Sequence, residues 1–298
     1  MGYRIGATAG MTMTKWQRAF NACNLIFLSG LGFSMILPLV HIVAQSFSSN
    51  KAIATGKVSF WPVEFTIANY SVILGDSSIW RAFLISTIIT AVGTLINLVA
   101  TSTLAYPLSR TEFVLRKPIL VMILITLVFS APLIPNFLVI KSLGMLDTLW
   151  ALMIPMAISA YTLFVMRSFF MHLPVELIDA ARIDGCGEAR IIWHIVMKMS
   201  KPLLATMTII FSVGHWNRYA EAIYYLNDRK LMPLQVRLRE IIVADVYETD
   251  PLSAIYVQLS PEGIKMAVIV VATVPIVFVY PFLQKYFVKG LLIGSIKS

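Results

Sequence analysis

Glu176-Leu-Ile-Asp-Ala-Ala-Arg-Ile-Asp-Gly185 is polar in a chain that is otherwise strongly apolar. It lies within a hydrophilic segment, residues 167–201, between two apolar blocks. Leu173-Pro174 precedes it, and a Pro at the first helical position followed by Glu176 predicts a helix start. The pattern runs as a short helix to Ile183, breaks at Gly185-Cys186-Gly187 and resumes amphipathically from Glu188. A glycine pair there predicts a sharp bend. Two short helices joined by a bend, held beside a membrane, make a docking knob for another protein.

The surrounding composition defines that membrane setting. Of 298 residues, 58% are hydrophobic and only 13% charged, with a mean hydropathy of +0.80. A soluble chain carries about 25% charged residues. The apolar residues fall into six blocks, 20–45, 82–108, 118–140, 149–166, 202–226 and 264–287. Blocks of this length predict membrane-crossing helices, and none alternates as the strand of a barrel would. The predicted fold class is therefore all-α, a polytopic membrane protein with six transmembrane helices. The apolar block after Lys15 and Arg18 is too long for a cleaved signal peptide, and the start lacks a myristoylation pattern.

Sidedness follows from the basic residues. Residues 1–19, 109–117, 167–201 and 285–298 together hold 14 Lys/Arg against 5 Asp/Glu. The alternate segments, 46–81, 141–147 and 215–263, hold 9 against 10. The net charge of +9 thus belongs to one face, which is expected to be cytoplasmic and to carry both termini and the knob. A basic pI explained by orientation gives no reason to expect a nucleic-acid partner.

Asp179-Ala180-Ala181, three residues, Gly185, nine residues and Ile195 resemble the Glu-Ala-Ala (EAA) loop of ATP-binding-cassette importer permeases. Asp179 replaces the family's Glu, and Met197-Lys198 replaces its Leu-Pro, so the second helix is expected to run straighter into the fifth span. Further along, Leu37-Pro38, Gln45-Ser46-Phe47, Ala68-Asn69-Tyr70, Ala105-Tyr106-Pro107-Leu108-Ser109-Arg110, Trp216-Asn217, Pro233-Leu234-Gln235 and Lys289-Gly290 to Lys297 follow the order of the maltose-type, second-subunit permeases. The family includes importers of oligo- and polysaccharides, acidic ones such as alginate among them.

The resemblance implies a type I importer permease fold: a cytoplasmic N-terminal segment (1–19) and a transmembrane domain (20–298), with the EAA loop at 174–201 and a periplasmic loop at 227–263. It implies a heterodimer with a sister permease, seated on two ATPase subunits that use ATP and Mg, and fed with oligosaccharide by a periplasmic binding protein. In that reading Glu176, Asp179, Ala180, Ala181, Arg182, Asp184 and Gly185 couple the chain to an ATPase. The small alanines allow close approach, and the carboxylates pair with basic groups or cap helix ends. Asp250, Pro251, Leu252 and Ser253 form the tip of the outer loop, either a binding-protein contact or a solvated connector. Trp216, Asn217 and Tyr219 either line a sugar pathway or anchor the helix at the membrane interface, where lipid is the neighbour.

Other function classes find little support. No phosphate-binding loop occurs, so the chain is expected to bind no nucleotide or other cofactor itself. Gly30 and Gly32 lie within the first block, where small residues let helices approach. No ionisable residue is clearly central in a span, which argues against an ion-coupled carrier. His41, His194 and His215 are scattered and read as structural, and no metal spacing or catalytic set is present. Cys23 and Cys186 fall at different depths and are not expected to pair. A permease for amino acids or osmolytes remains the alternative cargo class.

Overall fold

A computed structural model of the chain describes residues 14–243, 262–275 and 277–278. These residues are helices and connecting loops, and among them no strand forms. Contacts divide the chain into two compact units, one of residues 1–70 and 254–270, the other of residues 71–253 and 271–298.

The first unit is built around α1 (Lys15–Ser46). Its start is a reciprocal cap: Gln17 N–H donates to the Thr14 hydroxyl at 3.4 Å, and Thr14 N–H donates to the Gln17 side chain at 3.0 Å. Its 32 residues would extend about 48 Å, more than a bilayer's hydrocarbon core needs. Only the last turn is buried, at Ala44 and Ser46. There the Asn69 amide donates to the Ser46 carbonyl at 3.1 Å, and Tyr70 meets the Ser46 hydroxyl at 2.8 Å. Phe47 stacks on both Phe65 and Tyr70. Asn69 and Tyr70 therefore terminate the first long helix, after the short α2 (Asn50–Ala54) and within α3 (Ala68–Gly75). A Cβ on Gly263 would lie 2.8 Å from the Asn69 amide nitrogen, so glycine lets the helical segment that begins at residue 262 approach that cap.

The second unit is organised by α4 (Ser77–Ser109), which starts on the Asp76 carboxylate, acceptor of the Ser78 N–H at 2.8 Å. The buried face of α4 includes Ser86, Gly93, Asn97, Thr101 and Ala105, residues small enough for close helix approach. Helices α8 (Ala160–Met171) and α12 (Lys201–Trp216) pack along it. At Gly93 the backbone meets the His215 ring; a Cβ there would sit 2.6 Å from two ring atoms. His215 is itself buried, with Nε2 3.4 Å from the Asn97 side-chain oxygen. The structural reading of this histidine agrees with that setting.

The sequence predicts six spans; among the described residues, α1 and α4 are the single helices long and apolar enough to cross a membrane. The third block is two helices, α5 (Arg116–Val128) and α6 (Leu133–Ser142), divided at Ser130-Ala131-Pro132. Pro132 lacks the N–H that would continue α5 and starts α6 instead. In the fourth block, α7 (Trp150–Met153) is separated from α8 by residues 154–159, which include Pro155, and α8 continues beyond the expected end at residue 166. The fifth block breaks after α12 and resumes as α13 (Ala220–Tyr225). The sixth is helical over residues 262–275, while its part from residue 279 lies outside the described residues.

At the expected outer end, Asp147 draws two connections together. It has a positive φ of 58°, an uncommon conformation for a residue other than glycine. Its carboxylate accepts N–H bonds from Asn227 at 2.9 Å and Asp228 at 2.8 Å, and its own N–H donates to the Tyr225 carbonyl at 2.8 Å. The bonds from Asp228 and Asn227 hold the Asp147 carboxyl below its ordinary value of 3.8. Because the folded value is depressed, the clamp contributes above the ordinary value and is lost as pH falls through the lower one. At pH 7, Asp147→Ala should lower the thermal midpoint of the detergent-solubilised protein, and Asp147→Asn should lower it less. Equal midpoints in all three proteins would show that the clamp contributes nothing.

Candidate coupling site

The knob is α9 (Val175–Ile183), one residue shorter at its start than expected, because Pro174 is the cap rather than the first helical residue. Glu176 occupies the first turn and Arg182 the last, each complementing the helix dipole. Ile178 and Ala181 face inward and join Phe170, Leu173 and Ile191 in a core that includes Tyr106 and Leu108 of α4. Val175, Glu176, Leu177, Asp179, Ala180 and Ile183 remain exposed, and Ile183 shows 87% of its surface.

This arrangement divides the two alanines. Ala180 is on the open face, where small size permits close approach, whereas Ala181 is buried, where small size seats α9 on the core. The expectation that both alanines receive another surface is corrected accordingly.

The bend is a glycine-terminated helix end. Gly185 N–H donates to the Arg182 carbonyl at 3.0 Å and Cys186 N–H to the Ala181 carbonyl at 2.9 Å. The pattern requires the left-handed region at the residue after the cap, where Gly185 has φ 77°. Gly187 has an ordinary φ of −68° and merely caps α10 (Glu188–Ile191). Conformation therefore demands one glycine of the pair. Both cysteines are free thiols.

Arg182 ties the knob to the following helix. Its Nε donates to Glu188 Oε1 at 2.8 Å, and its Nη1 donates to Asp179 Oδ1 at 3.4 Å. The bond to Glu188 raises the Arg182 pKa above its ordinary value. Glu188 Oε2 in turn accepts the Tyr106 hydroxyl at 3.2 Å. The Arg182 and Glu188 side chains are 34% and 56% exposed, so this ion pair contributes roughly 0–1 kcal/mol. Among the described residues, Glu176 and Asp184 make no ion pair, and Asp184 serves as the C-cap of α9.

Beyond α10 the chain forms a π-helical turn (Ile192–Val196) and then α11 (Met197–Met199). The segment Glu188–Met199 then meets Lys201–Trp216 at 87°. The straighter passage expected from Met197-Lys198 is therefore not found. The bend falls at Ser200, and Pro202 sits in the first turn of α12, where a missing N–H costs no helical bond.

The other proposed site residues are more dispersed in role. Trp216 is buried with its ring edge-on to Phe83 at 5.7 Å. Asn217 is exposed and donates to the Val213 carbonyl of its own helix at 2.9 Å. Half-buried Tyr219 lies 4.6 Å beneath the Arg239 guanidinium, contributed by α14 (Leu234–Val243). Asp250, Pro251, Leu252 and Ser253 lie outside the described residues. Among the described residues, no three or more His, Cys, Asp or Glu side chains group to hold a metal ion.

A polar knob, seated on the end of a long apolar helix with one face left open, suits a membrane subunit driven from outside itself. The family described as binding-protein-dependent transport system inner membrane component matches residues 98–293. The chain belongs to that family. A relative in Bacillus subtilis (strain 168), protein LplC, is 42% identical over 97% of this chain and 98% of its own length. The polygalacturonan/rhamnogalacturonan transport system permease protein YtcP of the same organism is 39% identical, covering 95% of this chain and 99% of its own. Among solved structures, a chain of a bacterial ABC transporter involved in import of the acidic polysaccharide alginate superposes with a TM-score of 0.88. That chain is 30% identical, and the match covers 93% of this permease and 100% of the other chain. Its all-helical importer-permease architecture is thus the one the sequence predicted.

Residues missed by the sequence reading are Tyr106, Glu188, Gly93 and the inward role of Ala181. Tyr106 and Glu188 were each visible as parts of separate motifs, but a hydrogen bond across 82 positions leaves no local signal.

Proposed function

We propose that this permease carries oligosaccharides cut from acidic polysaccharides across the inner membrane. Two likenesses support an acidic cargo: a permease named for polygalacturonan and rhamnogalacturonan, and a transporter that imports alginate. Polygalacturonan and alginate share a pyranose chain bearing carboxylates. The chain pairs with a sister permease and receives sugar from a periplasmic binding protein. It binds no nucleotide; two partner ATPase subunits use ATP and Mg. Both termini and the knob are cytoplasmic, as the basic residues indicate. Trp216, Asn217 and Tyr219 contribute to the sugar route, and residues 250–253 to the binding-protein contact.

The observation that carries the coupling reading is the open face of α9. Glu176, Asp179, Ala180 and Ile183 offer carboxylates and an apolar tip to an ATPase cleft, on a helix whose other face is fixed to the core. In proteoliposomes containing the full complex, galacturonate or alginate oligosaccharides with the binding protein should raise ATP turnover, and neutral maltooligosaccharides should not. The reverse preference would overturn the acidic cargo.

Asp179→Lys reverses the exposed charge and places it one turn from Arg182. It should reduce stimulated ATP turnover by about tenfold, the equivalent of about 1.4 kcal/mol at an interface, with membrane insertion intact. Wild-type turnover in that variant would sink the docking of α9.

A further inference from the structure

We propose that Glu188 is a positioning residue for coupling, a strut that carries movement of α9 into the inner end of α4. The inference rests on the coupling reading and concerns how load leaves the knob. The two oxygens of one carboxylate are used by two different elements: Oε1 accepts from Arg182 in the last turn of α9, and Oε2 accepts from Tyr106 near the end of α4. On its outer side Arg182 also reaches Asp179, so a polar chain runs from an exposed carboxylate of the knob to the long helix.

The α4 end of this chain is anchored. Tyr106 is 2% exposed, and the Arg110 guanidinium lies 5.1 Å over its ring. Arg110 Nη2 donates to the Phe170 carbonyl near the end of α8, and Arg167 of α8 donates through Nε to the Leu108 carbonyl at 2.9 Å. A displacement arriving at Tyr106 is therefore delivered to α4 and α8 together, and α4 packs along α12. The knob's apolar footing resists compression, but van der Waals packing is weakly directional. The hydrogen-bonded carboxylate fixes distance and angle, so it can also pull and rotate.

A purely stabilising role for Glu188 predicts a different outcome. The Glu188 side chain is 56% exposed, so its removal strands no buried charge and the fold should survive. In the assembled complex, Glu188→Ala and Tyr106→Phe should each leave ATPase co-purification and basal ATP hydrolysis at wild-type levels. Glu188→Ala should lower the thermal midpoint slightly, since the buried Tyr106 hydroxyl loses its acceptor, and Tyr106→Phe should not. Stimulation by binding protein loaded with galacturonate or alginate oligosaccharide should fall about fivefold in each. The double variant should be no worse than Glu188→Ala alone, because both act through one strut. Full stimulation in both single variants, or additive losses in the double, would overturn the proposal.

A readout independent of cargo uses vanadate to trap the nucleotide-bound complex. Amide exchange at residues 102–110 should change on trapping in the wild type and remain unchanged in Glu188→Ala. A wild-type response retained in that variant overturns the strut, even if the sugar has been assigned wrongly. Should Glu188→Ala fail to assemble, Tyr106→Phe, which removes a single hydroxyl, decides the same question. A wild-type complex whose residues 102–110 do not respond to trapping overturns both the coupling reading and the strut.

Discussion

Gly93→Val should separate α4 from α12 and give the largest loss of stability of any single substitution considered. A Cβ at this position would lie 2.6 Å from Cε1 and Nε2 of His215 and 2.9 Å from Nδ1, all far inside contact distance. The ring has little room to withdraw, since His215 is 3% exposed and its Nε2 is 3.4 Å from Asn97. Overpacking of this kind typically costs about 1–3 kcal/mol, and a β-branched side chain, stiff at χ1, belongs at the upper end. Gly93→Ala should be milder. Combining Gly93→Ala with His215→Ala should recover part of the loss, because the same space is vacated. The measurement is the thermal midpoint of the solubilised protein, followed by size-exclusion chromatography. A wild-type midpoint in Gly93→Val would mean that the two helices do not meet here.

Gly185→Val is expected to preserve membrane insertion and abolish most of the coupling. No heavy atom lies within 4 Å of an added Cβ, so the demand for glycine comes from φ 77° rather than from space. A side chain in the left-handed region costs roughly 1–2 kcal/mol, and β-branching adds to it. The strained helix end would give up the bonds from Gly185 to Arg182 and from Cys186 to Ala181, turning Arg182 away from Glu188. Stimulated ATP turnover in the reconstituted complex should fall at least as far as in Glu188→Ala. Gly185→Asn should retain more activity than Gly185→Val, since Asn enters this region more readily. If Val and Asn behave alike, backbone conformation is not what the site requires.

The placement of the knob was legible because its signals are local. Pro174 and Glu176 mark its beginning, and Gly185 its end, within a single polar segment. The apolar blocks that fall within the described residues were legible for the same reason. Their internal breaks were less so. Ser130-Ala131-Pro132 stops one helix and starts another, whereas Pro38 and Pro107 lie inside helices that continue. A proline shows that a hydrogen bond is lost, but neighbouring packing decides whether the helix survives it.

The alanine pair teaches the same lesson on a smaller scale. Ala180 and Ala181 are chemically identical and adjacent, yet one is open and the other belongs to the core, because consecutive positions on a helix point about 100° apart.

By itself the sequence determined the membrane class, the charge asymmetry between alternate polar segments and the position of the polar knob. These follow from composition and from turn residues that act on their nearest neighbours. Only the tertiary structure decided which face of α9 stays open, where Ser200 turns the chain through 87°, and that Glu188 joins the knob to Tyr106. Those features depend on groups brought together by packing from distant parts of the chain, and no local pattern specifies which of them will meet.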